Sequence, residues 1–426
     1  MNTEINALRR FLDQAHSVYH GQALVQKQLE AEGYARLAEQ EPWTLTPGGK
    51  YYVTRGGSTL AAFRVPAGTP NGFLMSASHS DRPSFKLKDN FELDGAYIRA
   101  AVEGYGGMLV STWLDRPLSI AGRVIVETEN GIETKLIDID RDLLLIPNVA
   151  IHMNRQVNDG YKWNPAVDVL PLAGGKDAAG KLTALVEQAA GGRLLGHDLY
   201  LYVREKASLW GLEEEYISSA ALDDLECVWG CAQGFLRAGE SESIPVLCVF
   251  DNEEVGSSSP QGAASTFLPE LLERICAALN LNKSQMLAQS FMVSADNAHG
   301  LHPNHPELSD PANAPVLGSG IVLKYNARLR YCTDGVSAAL FRKVCAKAGV
   351  PVQSYHNRAD IPGGSTLGHI SLSQVSVPTA DIGLPQLAMH SCYETAATAD
   401  VLSLVKAMAV YFGSTLEASE SGYILR

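Results

Sequence analysis

The stretch Val246-Leu-Cys-Val-Phe-Asp251-Asn-Glu253-Glu254-Val-Gly256 restricts what this chain can fold into, because an apolar run stops abruptly at three acids. A run bounded in this way reads as a buried strand whose carboxyl end projects carboxylates. Open α/β sheets place their ligand sites at the carboxyl ends of strands. Of two adjacent glutamates, one can hold a metal ion while the other handles a proton, a division that two-metal hydrolases need. The competing reading is a solvated acidic turn.

The same pattern recurs along the chain. Gly72-Phe-Leu-Met-Ser-Ala reads as a strand that ends at Ser78-His79-Ser80-Asp81. In such a His-x-Asp unit, His79 is a candidate metal ligand and Asp81 the carboxylate that fixes its tautomer. Phe291-Met-Val-Ser is another buried strand and ends in Ala295-Asp296-Asn-Ala-His299. His299, His302 and His305 are separated by glycine and proline, which removes helical spacing and argues against a histidine metal site of their own. One of them, His299, is placed beside the substrate. A helix is expected from about Ala221 to Leu236, with Asp223 and Asp224 in its N-cap region. A carboxylate on that rigid start also suits the bridge between two ions about 3.5–4 Å apart. Ile321-Val-Leu-Lys324 is a strand with an embedded lysine, and Ile361-Pro-Gly363-Gly364-Ser365 is a glycine-rich loop before a helix, where Gly364 allows close backbone approach to a ligand. His390 precedes the last helix, which runs to about Phe412.

Between about Lys86 and Glu205 the pattern changes to short alternating segments, with a hairpin signal at Asn130-Gly131. This predicts a β-rich domain, residues 89–205, inserted into a catalytic domain formed by 1–88 and 206–426. The fold expected is α/β, a mixed central sheet flanked by helices with the β-rich module as an oligomerisation domain. His152 lies in that module and on sequence alone reads as a structural histidine. The formal charge of −13 in 426 residues disfavours nucleic acid and anionic membranes as partners. No leader or membrane span is evident, which points to a cytoplasmic protein. The seven cysteines are odd in number and contain no Cys-x-x-Cys, so no disulfide framework is expected.

Together, His79, Asp223, Glu254, Asp296 and His390, with Glu253 beside them, suit two zinc-like ions that share an aspartate. The motifs Ser78-His79-Ser80-Asp81, Leu222-Asp223, Asp251-Asn252-Glu253-Glu254-Val255-Gly256-Ser257, Ser294-Ala295-Asp296 and Leu387-Ala-Met-His390-Ser391 resemble, in order and over nearly the whole chain, those of the aspartyl aminopeptidases. These are cytosolic dizinc enzymes that remove N-terminal acidic residues from peptides. The resemblance implies two Zn2+ per chain, with Co2+ or Mn2+ as possible replacements. His79 and Asp296 would bind one, Glu254 and His390 the other, with Asp223 bridging and Glu253 as general base. It also implies that Lys324 faces an acidic substrate side chain, that dimers assemble into a dodecamer, and that His152 reaches a neighbouring active site. A lysine at a sheet edge is the plain alternative for Lys324. Competing functions are a dizinc amidohydrolase or carboxypeptidase acting on small N-acyl compounds, an aminopeptidase of non-acidic specificity, and a non-catalytic peptide-binding scaffold.

Overall fold

In the strand Ile244–Phe250 every residue is buried, and successive side chains go to opposite faces. Val246, Cys248 and Phe250 join one apolar cluster, while Leu247 and Val249 join another. A strand covered on both sides reads as an unbroken apolar run. The computed structural model of the chain describes residues 2–420 and 422–426. The central sheet has nine strands in the order Ala35–Arg36, Lys50–Arg55, Thr59–Arg64, Ile244–Phe250, Phe73–His79, Phe291–Ala295, Thr379–Gly383, Ile321–Tyr325 and Val352–His356. Its middle four strands, from Ile244–Phe250 to Thr379–Gly383, run parallel, and their neighbours on both sides run antiparallel to them. The four parallel strands therefore finish at one end, bringing His79, Asp251 and Asp296 together.

Helices cover both faces, as expected for a mixed α/β sheet. On one face lie Leu222–Arg237, Gly335–Ala348 and Thr398–Phe412, with Trp229, Phe341 and Tyr411 in the core. The N-terminal helical region joins them as two helices, Asn2–Leu12 and Val18–Ala31, separated at the Ser17 cap. On the other face Phe267–Ala278 and Leu367–Gln374 contribute Phe267, Leu271 and Leu367. Helix Leu222–Arg237 lies so close to Thr398–Phe412 that a Cβ on Gly234 would meet the Met408 Cβ at 2.4 Å. Only glycine fits there without moving the helix that presents Asp223.

A second sheet has six antiparallel strands in the order Gly131–Asp138, Leu118–Thr128, Leu194–Val203, Ser84–Leu93, Tyr97–Tyr105 and Leu172–Gly175. It has its own core, shared with helix Lys181–Ala190. Thr128 pairs with Gly131, so the hairpin turn falls on Glu129-Asn130. Strand Ser84–Leu93 runs through the 88/89 boundary read from sequence, and the sheet draws its strands from Ser84 to Val203. A five-stranded sheet, Ser208–Trp210, Tyr216–Ser219, Glu394–Ala397, Pro385–Leu387 and Ala298–His299, carries Glu394 and His299. No helix among the described residues is long and apolar enough to cross a membrane.

Candidate active site

His79 ends its strand only 1% exposed. Its Nδ1 lies 3.4 Å from Asp81 Oδ1 and 3.2 Å from the Asp81 backbone oxygen. A proton held there leaves Nε2 free to ligate, 3.6 Å from Asp223 Oδ1. Asp81 is itself fixed: its carboxylate accepts the Glu253 and Glu254 backbone N–H groups at 3.1 Å each and the Tyr105 hydroxyl at 2.7 Å. One carboxylate thus sets the histidine and the double-glutamate turn together.

His390 Nε2 lies 3.6 Å from Asp223 Oδ2 and 3.4 Å from Glu254 Oε2. The ligand atoms of His79, Asp223 and Asp296 all fall within 4.8 Å of one another, as do those of Asp223, Glu254 and His390. Two triads therefore share Asp223, whose two oxygens face different histidines. A third set within the same limit is His79, Glu253 and Glu254, so Glu253 stands beside the ligands. Two imidazoles and three carboxylates form the mixed N/O set that zinc takes. The buried oxygens Asp223 Oδ1 and Glu254 Oε1 have no hydrogen-bond partner, as suits atoms shaped to meet cations. Electrostatics agree. Burial above all pushes Glu253 up to about 8, with Asp296, Asp81 and Asp223 acting in the same direction. Burial also pushes Asp296 up to about 6, against the pull of Lys324, and Glu254 well above the usual range. So much buried carboxylate in one place calls for compensating positive charge.

Glu394 was not singled out by its sequence. It accepts the backbone N–H of Asp223 at 3.0 Å and that of His390 at 2.7 Å, and so positions a ligand from each end of the chain's second half. Tyr105 was missed for a related reason, since it comes from the six-stranded sheet. Asp224, which shares the helix start, accepts the His79 backbone N–H at 3.2 Å.

The remaining expectations fare differently. Lys324 is not at a sheet edge, because its strand is paired on both sides. It is 1% exposed, and its ammonium donates to the backbone oxygens of Asp296 at 2.6 Å and Asn297 at 3.2 Å. The Asp296 and Asp381 carboxylates lie 3.7 Å away, so the charge is held behind Asp296 rather than presented to solvent. His299 is exposed, with its ring centroid 6.1 Å from that of Tyr355. Gly364 is exposed and would have open space around a Cβ; the glycine that close approach demands is Gly363, whose Cβ would meet Asn357 Oδ1 at 2.2 Å. His302 and His305 join no metal-binding group among the described residues. His152 lies in an exposed turn and belongs to none of the triads. All seven cysteines are buried and free.

Residues 11–412 match the family model described as "Aminopeptidase I zinc metalloprotease (M18)". A "Probable M18 family aminopeptidase 2" of Clostridium novyi is 41% identical over 405 residues, covering 91% of this chain and 94% of that protein. Among solved structures, a chain in the cryo-EM structure of the Ape4 and Nbr1 complex superposes with a TM-score of 0.91 at 34% identity, covering 96% of this chain and 85% of that one. A subunit of the S. cerevisiae mApe1 dodecamer gives 0.83 at 27% identity, covering 95% of each chain. All six groups singled out in the sequence are present and fall within the three sets. The chain belongs to the M18 family of zinc aminopeptidases, hydrolases of peptide bonds.

Proposed function

We propose that this aminopeptidase removes N-terminal Asp or Glu from peptides at two zinc ions per chain. The observation that carries the reading is the pair of ligand triads that share Asp223. His79 and Asp296 would hold one ion, Glu254 and His390 the other, with Asp223 between; cobalt or manganese suits the same donors. When bound, the ions supply Lewis acidity and bring the pKa of water from ~15.7 to about 7. The protein's own groups complete the chemistry. Glu253, unpaired by any ligand role, takes a proton from the attacking water on a carboxylate oxygen and delivers it to the leaving amine. Asp81 keeps His79 in the required tautomer and holds the backbone of Glu253 in place.

The acidic preference is assigned to Lys324 with His299 alongside, Lys324 acting from behind Asp296 and His299 from the exposed side. Because the chain carries −13 overall, this preference has to be local. We assign residues 1–83 and 206–426 to the catalytic part, with the first boundary moved ahead of strand Ser84–Leu93, and the inserted sheet to an assembly module in the cytoplasm. Support for a dodecamer comes from the mApe1 dodecamer and from the surface around His152, where Val149, Ile151 and Met153 are 48%, 48% and 82% exposed. Apolar groups gathered like this suit a protein partner. His152 is proposed to enter a neighbour's active site.

Comparing cleavage of Asp-, Glu-, Leu- and Lys-linked reporters tests the specificity, and a leucine preference would defeat it. For the assembly, full activity of an isolated monomer, or unchanged turnover of His152→Ala, would count against the role of His152.

A further inference from the structure

Arg328, Arg330, His356 and Arg358 line a cavity of about 360 Å³ at the ends of the strands Ile321–Tyr325 and Val352–His356. Its flat side is the stacked pair Tyr325 and His356, with ring centroids 5.0 Å apart and planes within 3°. Arg358 is fixed by Asp360 at 2.8 Å and by the Glu307 backbone oxygen. Asp360 is thus already paired, and among the described residues no other acid lines the cavity. Arg328 and Arg330 are exposed, and among the described residues no carboxylate lies within ion-pair distance of either. In a protein of net charge −13, this is a concentration of cations without matching anions.

A chain of contacts leads from the cavity towards the metal-binding residues. Asn357, on its wall, donates to the Tyr355 hydroxyl at 2.7 Å, and the Tyr355 ring is 6.1 Å from that of His299, three residues after Asp296. Extended peptide covers about 3.3–3.6 Å per residue, so a bound peptide of several residues reaches well beyond the groups at the scissile bond. An aminopeptidase admits one residue on the amino side of the scissile bond. Whatever else the enzyme reads must lie on the leaving side.

We propose that this arginine-lined cleft binds side-chain carboxylates of substrate residues downstream of the scissile bond, making the enzyme selective for acidic peptides beyond their first residue. The inference rests on the aminopeptidase reading but not on the acidic choice at the first position. Guanidinium is the group suited to it, because its planar donors meet a carboxylate bidentately. Each contact is solvent-exposed and screened, so the effect falls on binding and weakens with salt.

The test uses the full-length enzyme and peptides with one fixed first residue, capped as C-terminal amides, carrying either Glu or Gln at the second to fourth positions. A single-residue amide reporter serves as the control for fold and chemistry. Wild type should show a KM for the Glu peptides about tenfold below that for the Gln peptides, a gap that narrows as salt is raised. Arg328→Ser with Arg330→Ser should abolish the gap and leave reporter turnover unchanged. Equal KM values for Glu and Gln peptides in wild type, or equal losses on both in the variant, would overturn the cleft assignment. Free-acid tripeptides form a second arm; a gap seen with them alone would overturn it in favour of a C-terminal carboxylate site. Binding of the Glu and Gln peptides to Glu253→Gln, followed by fluorescence anisotropy, separates this outcome from failure of the proposed chemistry, since it requires no turnover.

Discussion

The metal centre and the arginine-lined cleft belong to the same sheet, and they hold their charges in opposite ways. In the centre nearly every charged group is buried and tied to backbone: Asp81 by the N–H groups of Glu253 and Glu254, Glu394 by those of Asp223 and His390. In the cleft Arg328 and Arg330 are exposed, and Arg358 alone is anchored. Buried, pre-oriented groups act on the reaction itself, because moving them costs energy and their field is unscreened. Exposed groups on long side chains act on encounter and binding. The difference between the two regions is therefore a difference between turnover and KM.

The strongest challenge to that division is Glu253→Gln. It should lower turnover by roughly 10²–10⁴-fold, the usual worth of a positioned proton-transfer group, while metal analysis still finds two ions per chain; near-normal turnover would remove Glu253 as the base. Next, Asp223→Ala should weaken both ions together, by about 100-fold or more on the scale of lost ligand support, whereas His390→Ala should leave one ion tightly held. Chelator competition read by metal content tells these apart, and selective loss of one ion from Asp223→Ala would break the shared-ligand geometry. Tyr105→Phe comes third. Losing the hydroxyl that fixes Asp81 should cost about 10–100-fold in metal affinity, the range for groups that orient ligands, and an unchanged affinity would show that the six-stranded sheet has no hold on the centre. The smallest effect is expected behind the sheet. Gly234→Ala presses on Met408 and should cost about 1–3 kcal/mol of stability through overpacking, seen as a lower Tm, with KM for peptides unaltered.

Much of the centre was legible because the transitions are abrupt. His79, Asp296 and the Asp251–Glu254 turn each follow an apolar run whose period and length mark a strand, and a polar group at its carboxyl end has few structural reasons to be there. The helix that carries Asp223 was legible as well, although capping explained its acids equally well. Glu394 and Tyr105 gave no such signal. Apart from the local bond of Glu394 to His390, the contacts that tie them to the site join residues 171 and 24 positions apart, and neither side chain differs locally from an ordinary strand residue. Lys324 shows the reverse error: a lysine in an apolar strand looks like an edge residue until the strand order places neighbours on both sides.

By itself, the amino-acid sequence determined the strands, their covering helices and the groups at the strand ends, since hydrophobic periodicity and the cost of burying unpaired charge act locally. The tertiary structure decided which strands lie side by side, and so which side chains gather around Asp223, which tyrosine holds Asp81, and where Lys324 places its charge. Those facts depend on contacts between residues far apart in the chain, and their geometry exists only once the sheet is assembled.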